Sequence, residues 1–193
     1  MPAAAGPVTR FVIKVLAWLP VAFVFWYFVA PVLLWPVQVV LAAVCHFGFA
    51  DLVRGVEQSG STIRFATSLR PGEAAGAGLV TVDIDGLLYS YGLPLLAALV
   101  IAARERGWPR KLALGYAVMV PAMTWGVLAS FLRSVAIASD PLIASQAGFS
   151  AAQREVIAFA YQFGTLILPT VTPVVAWVLM HRCLLEQFRE RRG

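Results

Sequence analysis

Residues 11–49 form an almost unbroken apolar run, and this run constrains the chain more than any other feature. As a helix rising 1.5 Å per residue it is nearly twice as long as the ~30 Å hydrocarbon layer of a bilayer. A secretory signal would have a much shorter apolar region followed by a small-x-small site, and no clear site of that kind follows here, so a retained span is expected. Pro31 and Pro36 are expected to divide the run. That gives a kinked first helix with a span at about 12–34, and a segment at 37–49, carrying Gln38 and His46, that lies along the outer membrane surface or dips into it. Trp18, Trp26, Tyr27 and Trp35 include aromatic residues of the kind that anchor helices at membrane interfaces.

The rest of the chain fits a membrane setting. Apolar residues make up 60% of the sequence and charged residues only 13%, about half the share of a soluble domain. Further apolar segments at 87–103, 112–132 and 156–180 bring the expected number of spans to about four. Prolines 94, 121, 169 and 173 fall within them, where neighbouring helices can satisfy the freed carbonyls. One sizeable polar stretch, 51–85, separates the first two spans. Within it Ile63, Phe65, Thr67 and Leu69 alternate with Thr62, Arg64, Ala66 and Ser68, and Val80, Val82 and Ile84 alternate with Thr81, Asp83 and Asp85. A period of two marks half-buried strands, and the Arg70-Pro71-Gly72 and Gly76/Gly78 region supplies the loop of a β-hairpin. In the polar link at 140–155, Ser150 and Gln153 have the spacing of a helix capping box.

The expected fold is therefore mainly α: a polytopic membrane helix bundle with a small extracytoplasmic β-hairpin. It has three parts: residues 1–50 (first span and outer-surface helix), 51–86 (hairpin), and 87–193 (a three-span bundle with a basic tail). The formal charge of +5 does not form a basic stripe interleaved with aromatics, so no nucleic acid partner is expected. The cations cluster beside the apolar runs instead, at Arg10 and Lys14, at 104–111, and at 181–192. By the positive-inside rule, these three segments and both termini are cytoplasmic and the net acidic hairpin is outside. Cys45 and Cys183 then fall on opposite sides of the membrane, and without a CxxC pair or Cys/His cluster neither a disulfide framework nor a metal site is expected.

Candidate chemistry is sparse. Arg133 ends the third span in an otherwise apolar setting, where an arginine is costly and marks either a functional group or a snorkelling interface anchor. The entry to the second span carries Tyr89, Ser90, Tyr91, Gly92 and Pro94, which read either as interface anchoring or as a functional turn. Ser90 would need a nearby base to act as a nucleophile. Asp83 and Asp85, two apart on a strand, face the same way and can form a solvated face, hold a cation, or accept from Arg133. His46 and Cys45 are adjacent, so on a helix they diverge by about 100°, and His181 with Arg182 reads as a cytoplasmic anchor. There is no phosphate-binding glycine loop, HExxH or GxSxG, and no cofactor is expected.

The order of these features resembles the exosortase/archaeosortase families, membrane transpeptidases that process C-terminal sorting tails. Their Cys-Ser-Gly-[Ile/Leu]-Arg motif is matched by Ser90-Tyr91-Gly92-Leu93-Pro94 only at Gly92 and Leu93, and their Asn-x-x-Arg by Ser130-Phe131-Leu132-Arg133 only at Arg133. Residues 159–164 contain no counterpart of the family's later histidine. A relative without the cysteine and histidine is expected to be catalytically silent. The chain as a whole is similar to the small exosortase H-associated membrane proteins, through Leu16-Ala17-Trp18-Leu19-Pro20, Phe25-Trp26-Tyr27, Val56-Glu57-Gln58 and residues 87–94. That resemblance implies a non-enzymatic accessory protein of the bacterial inner membrane. Its partners would be membrane lipid and an exosortase or its tail-bearing substrate, met through the hairpin and the residue 89–94 turn. The alternatives are a divergent transpeptidase or protease using Ser90 and Arg133, and a membrane scaffold or transport subunit.

The topology predicts activity from a periplasm-dependent reporter fused at Glu73 and none from the same reporter at the C-terminus. Activity at the C-terminal fusion contradicts it.

Overall fold

The structure, a computed structural model, describes residues 6–70 and 79–182. The loop expected around Pro71, Gly72, Gly76 and Gly78, Cys183, and the tail beyond Arg182 lie outside the described residues.

The elements run α1 (Pro7–Gly48), β1 (Val53–Ser59), β2 (Thr62–Thr67), β3 (Thr81–Asp85), α2 (Leu87–Ser90), α3 (Gly92–Ala103), α4 (Trp108–Arg133), a π-helical turn (Ser134–Ala138), α5 (Pro141–Gln146), α6 (Ala151–Gln162), a second π-helical turn (Phe163–Ile167) and α7 (Leu168–Met180). The mainly helical membrane fold is as expected. Three helical stretches, Val8–Gly48, Trp108–Ala138 and Ala151–Met180, are long and apolar enough to cross a bilayer, and Leu87–Ala103 is a shorter apolar one.

Two local features differ from expectation. Instead of a span followed by a separate segment, α1 is one 42-residue helix that passes through Pro20, Pro31 and Pro36. Each proline costs only a local hydrogen bond, and around Pro31 and Pro36 the packing of Ala30, Leu34, Val37 and Leu41 holds the helix, so it continues. The polar stretch holds three antiparallel strands in the order β1-β2-β3 rather than two. The expected pairing is the β2–β3 pair, with Ile63 opposite Ile84 and Phe65 opposite Val82. The added strand, β1, escapes a period-of-two reading because the register shifts between Val53 and Gly55. This bulge leaves its two buried residues, Val53 and Val56, three positions apart. Gly60, at φ 61°, makes the tight β1–β2 turn that few other residues would allow.

The chain forms two compact units. One comprises residues 30–90 and 120–169. Here β1 lies along the C-terminal half of α1: Gln38 donates to the Val56 carbonyl at 2.8 Å, and Gln58 donates to the Pro31 carbonyl at 2.6 Å. Gly86, at the end of β3, leaves no room for a side chain, since a Cβ would stand 2.6 Å from Leu34 Cδ1. Phe65 of β2 stacks on Phe131 of α4 with ring centres 4.2 Å apart, fixing the inner face of the sheet. Gln146 of α5 bonds both backbone groups of Arg70 at 3.0 Å. The capping box at Ser150 and Gln153 is formed.

The other unit comprises residues 1–29, 91–119 and 170–193, of which the described part is used here. Trp177 stacks on Phe11 and donates to the Leu99 carbonyl at 3.1 Å. The α3–α4 turn reverses sharply, with Arg104 at φ 50° and Gly107 at φ 83°. Lys111 pairs with Glu105 and donates to the Met180 carbonyl. His181 is not an exposed anchor. It is buried, stacked on Trp177, with Nδ1 2.9 Å from the Trp177 carbonyl and Nε2 4.0 Å from Glu105. A carbonyl only accepts, so Nδ1 carries the proton.

Phe65→Ala removes the stack on Phe131 and is expected to cost about 3–5 kcal/mol of stability, read by chemical unfolding in detergent. A loss below about 1 kcal/mol would show that the sheet is not anchored through this pair.

Candidate functional site

The sheet's outward face is set by register. Glu57, Arg64 and Asp83 stand opposite one another across the three strands. Arg64 grips Asp83 with two bonds, Nε at 2.8 Å and a terminal nitrogen at 2.9 Å. That hydrogen bond, with the opposite charge, raises the Arg64 pKa above its ordinary value and lowers that of Asp83. Asp85 accepts from the Leu87 amide at 2.9 Å and so starts α2. Both carboxylates thus have structural partners other than Arg133. Among the described residues, no group of three His, Cys, Asp or Glu side chains is placed to hold a metal ion.

The strand edges differ. Gln38 takes a carbonyl of β1. Along β3, Val80 bonds Thr67 and Leu69, and Gly86 bonds Ser61. The alternation of an antiparallel ladder then turns the backbone groups of Thr81, Asp83 and Asp85 to the open side.

Tyr89 and Ser90 do not lie at a surface; both are buried. The Tyr89 ring covers Gly126 of α4, where a Cβ would meet Cδ1 at 2.3 Å, and a Cβ on Gly164 of the second π turn would stand 3.0 Å from the Gly126 Cα. Small residues at both positions let the three segments close tightly. Ser90 has no exposed surface, and its Oγ has no hydrogen-bond partner among the described residues. No base is therefore in reach to activate it. A buried hydroxyl left unpaired costs about 1–3 kcal/mol. Tyr91, Gly92 and Pro94 open α3 in the other unit, with Gly92 and Pro94 buried and Tyr91 half-buried.

Arg133 is half-buried at the last position of α4, its guanidinium carbon 4.5 Å from the centre of the Tyr161 ring. This is a cation–π contact, and among the described residues Arg133 forms no ion pair. The two π turns lie next to it: one starts at Ser134, the other two residues beyond Tyr161. Such turns recur at functional sites. Tyr161 was missed because a single sequence does not show the inserted residue that makes a π turn.

A second feature had no signal in the sequence. A groove of about 500 Å³ runs between the first π turn, α5 and α6. Ala136, Ile137, Ala144 and Ala158 line it, with Arg154 and Glu155 at its mouth.

A family model described as exosortase H-associated membrane protein matches residues 5–184. The chain belongs to this family. No curated protein and no solved structure matches it.

The Arg64-bonded Asp83 gives the sheet's solvent-exposed face a charge that can be read. Because the Asp83 pKa is lower folded than unfolded, its contribution is present above the ordinary carboxylate range and is lost as pH falls through the lowered value. A carboxyl-carbon NMR titration is expected to give an Asp83 midpoint below about 3.9, returning to the ordinary range in Arg64→Gln. A wild-type midpoint at or above that value contradicts the pairing.

Proposed function

We propose that this chain is a non-enzymatic accessory protein of an exosortase-type C-terminal sorting system, held in a bacterial inner membrane with both termini in the cytoplasm. What supports this most is a stripe on α1. Counting from Lys14, about 20 residues cross the hydrocarbon, so the helix leaves it near residue 34. Beyond that point one face, including Leu34, Val37, Leu41 and Cys45, is buried. Trp35, Val39, Val40 and Phe47 remain exposed, Phe47 at 86%. Apolar side chains on a helix that has left the hydrocarbon call for a partner. The family's description, exosortase H-associated membrane protein, supports an exosortase as that partner.

The open edge of β3 supplies the second contact. An extended sorting tail can add to it as a fourth strand through Thr81, Asp83 and Asp85. Arg133 and Tyr161 hold α4 and α6 in the arrangement that supports the sheet. The unpartnered Ser90 is in keeping with a non-enzymatic reading: a hydroxyl needs an adjacent base to attack an acyl group, and among the described residues none hydrogen-bonds to it.

The same unpaired Ser90 hydroxyl favours a second reading, a divergent transpeptidase in which a substrate group completes the site. One pair of measurements separates them. Under the accessory reading, an exosortase or a tail-bearing protein co-purifies after mild solubilisation, and Ser90→Ala leaves tail processing unchanged. Loss of processing in Ser90→Ala, with a normally folded protein, selects the enzyme. A pull-down containing neither exosortase nor tail-bearing protein contradicts the accessory role.

A further inference from the structure

The groove between the first π turn, α5 and α6 is independent of any sorting role, and its chemistry is specific. Its lining is apolar, from Ala136, Ile137, Ala144 and Ala158. The two serines beside it are already used: Ser139 donates to the Val135 carbonyl at 2.6 Å and Ser145 to the Leu142 carbonyl at 2.8 Å. That leaves Arg154 and Glu155 as the charged groups at its mouth. Both are exposed, and among the described residues neither forms an ion pair, with the other or with any third residue. One positive and one negative charge, diverging along α6, thus border the same apolar slot.

Their level relative to the bilayer follows from helix length. The stretch Ala151–Met180 has 30 residues and Trp108–Ala138 has 31. Each is about 45 Å long as a helix, some 15 Å more than the hydrocarbon layer. Shared between the two ends, that excess is about five residues each, which puts Arg154, Glu155 and the first π turn at headgroup depth. Leu142 of α5 and Phe159 of α6 are exposed apolar side chains of the kind that face lipid.

We propose that this groove is a binding site for a zwitterionic phospholipid whose head carries both a phosphate and a primary ammonium. The guanidinium of Arg154 takes the phosphate, for which its planar donor fork is suited. The carboxylate of Glu155 accepts from the ammonium. One acyl chain lies along the alanine-lined floor, where the small side chains leave the space. An anionic head without a cation meets the Glu155 charge unfavourably, and a quaternary ammonium offers Glu155 no N–H.

The test is native mass spectrometry of the full chain in mild detergent, titrated separately with dioleoyl phosphatidylethanolamine, phosphatidylglycerol and phosphatidylcholine. Phosphatidylethanolamine is expected to be retained about two- to fivefold better than the other two, the range an exposed ion pair supplies. Glu155→Gln lowers its retention to that of phosphatidylglycerol, and Arg154→Gln lowers retention of all three. Both substitutions are on exposed side chains, and a fluorescence melt confirms that the variants fold. Ala158→Trp, which fills the groove, abolishes the preference as well. Equal retention of the three lipids by the wild type, or a preference that survives both charge substitutions, overturns the proposal. So does stronger capture of a synthetic apolar tail peptide than of phosphatidylethanolamine.

Discussion

The structure depends on the length of α1. Forty-two helical residues span about 63 Å, and even at a 40° tilt a helix of that length exceeds a ~30 Å hydrocarbon layer. One end must therefore stand clear of it. The charged residues Arg10 and Lys14 sit near the N-terminal end, and on the proposed topology the emerging part is the C-terminal one. This is the part that carries the sheet, through the two glutamine bonds and the close approach of Gly86 to Leu34. A small three-stranded sheet has little core of its own, and here α1 on one side and Phe131 on the other supply it. The family to which the chain belongs is defined over almost its whole length, so this helix and its sheet are part of what the family shares.

Tight packing explains where the polar groups sit. Gly126 admits the Tyr89 ring and Gly164 lies against Gly126, which draws α2, α4 and the second π turn together. Ser90 is carried into this interior without a partner for its hydroxyl, and Arg133 is left facing an aromatic ring rather than a carboxylate. Each is expensive by itself and tolerable only because the surrounding packing is close. Both lie next to π turns, where a helix takes an extra residue, so among the described residues the unpartnered hydroxyl and the ring-facing cation share one region of the fold.

Much of this was legible in the sequence, and the rest has identifiable reasons for being hidden. Apolar runs announced the helices, since nothing else satisfies a backbone in lipid. Alternation announced β2 and β3, and the Ser150–Gln153 spacing announced the capping box. The β1 strand was masked by its own bulge, which put Val53 and Val56 out of phase. A glycine signal was present at Gly60, and a hairpin search centred on it would have found the strand. Pro31 and Pro36 suggested a break because proline tends to end helices, but the packed face Ala30, Leu34, Val37 and Leu41 outweighs the hydrogen bonds lost. The sequence left a solvated face, a cation and Arg133 open for Asp83 and Asp85, because cross-strand register decides the Arg64–Asp83 pair and emerges only once β2 and β3 are paired. The burial of Tyr89 depends on an absence, the missing side chain at Gly126, 37 residues away in sequence.

The claim on which the account rests is that the C-terminal part of α1 stands outside the hydrocarbon. Spin labels at Phe28 and Phe47, both exposed, test it in nanodiscs of the isolated protein. Relaxation by dissolved oxygen reports lipid, and relaxation by a water-soluble nickel chelate reports water. The account predicts oxygen-dominated relaxation at position 28 and nickel-dominated relaxation at position 47. Oxygen-dominated relaxation at both positions would place the whole helix in lipid and contradict it.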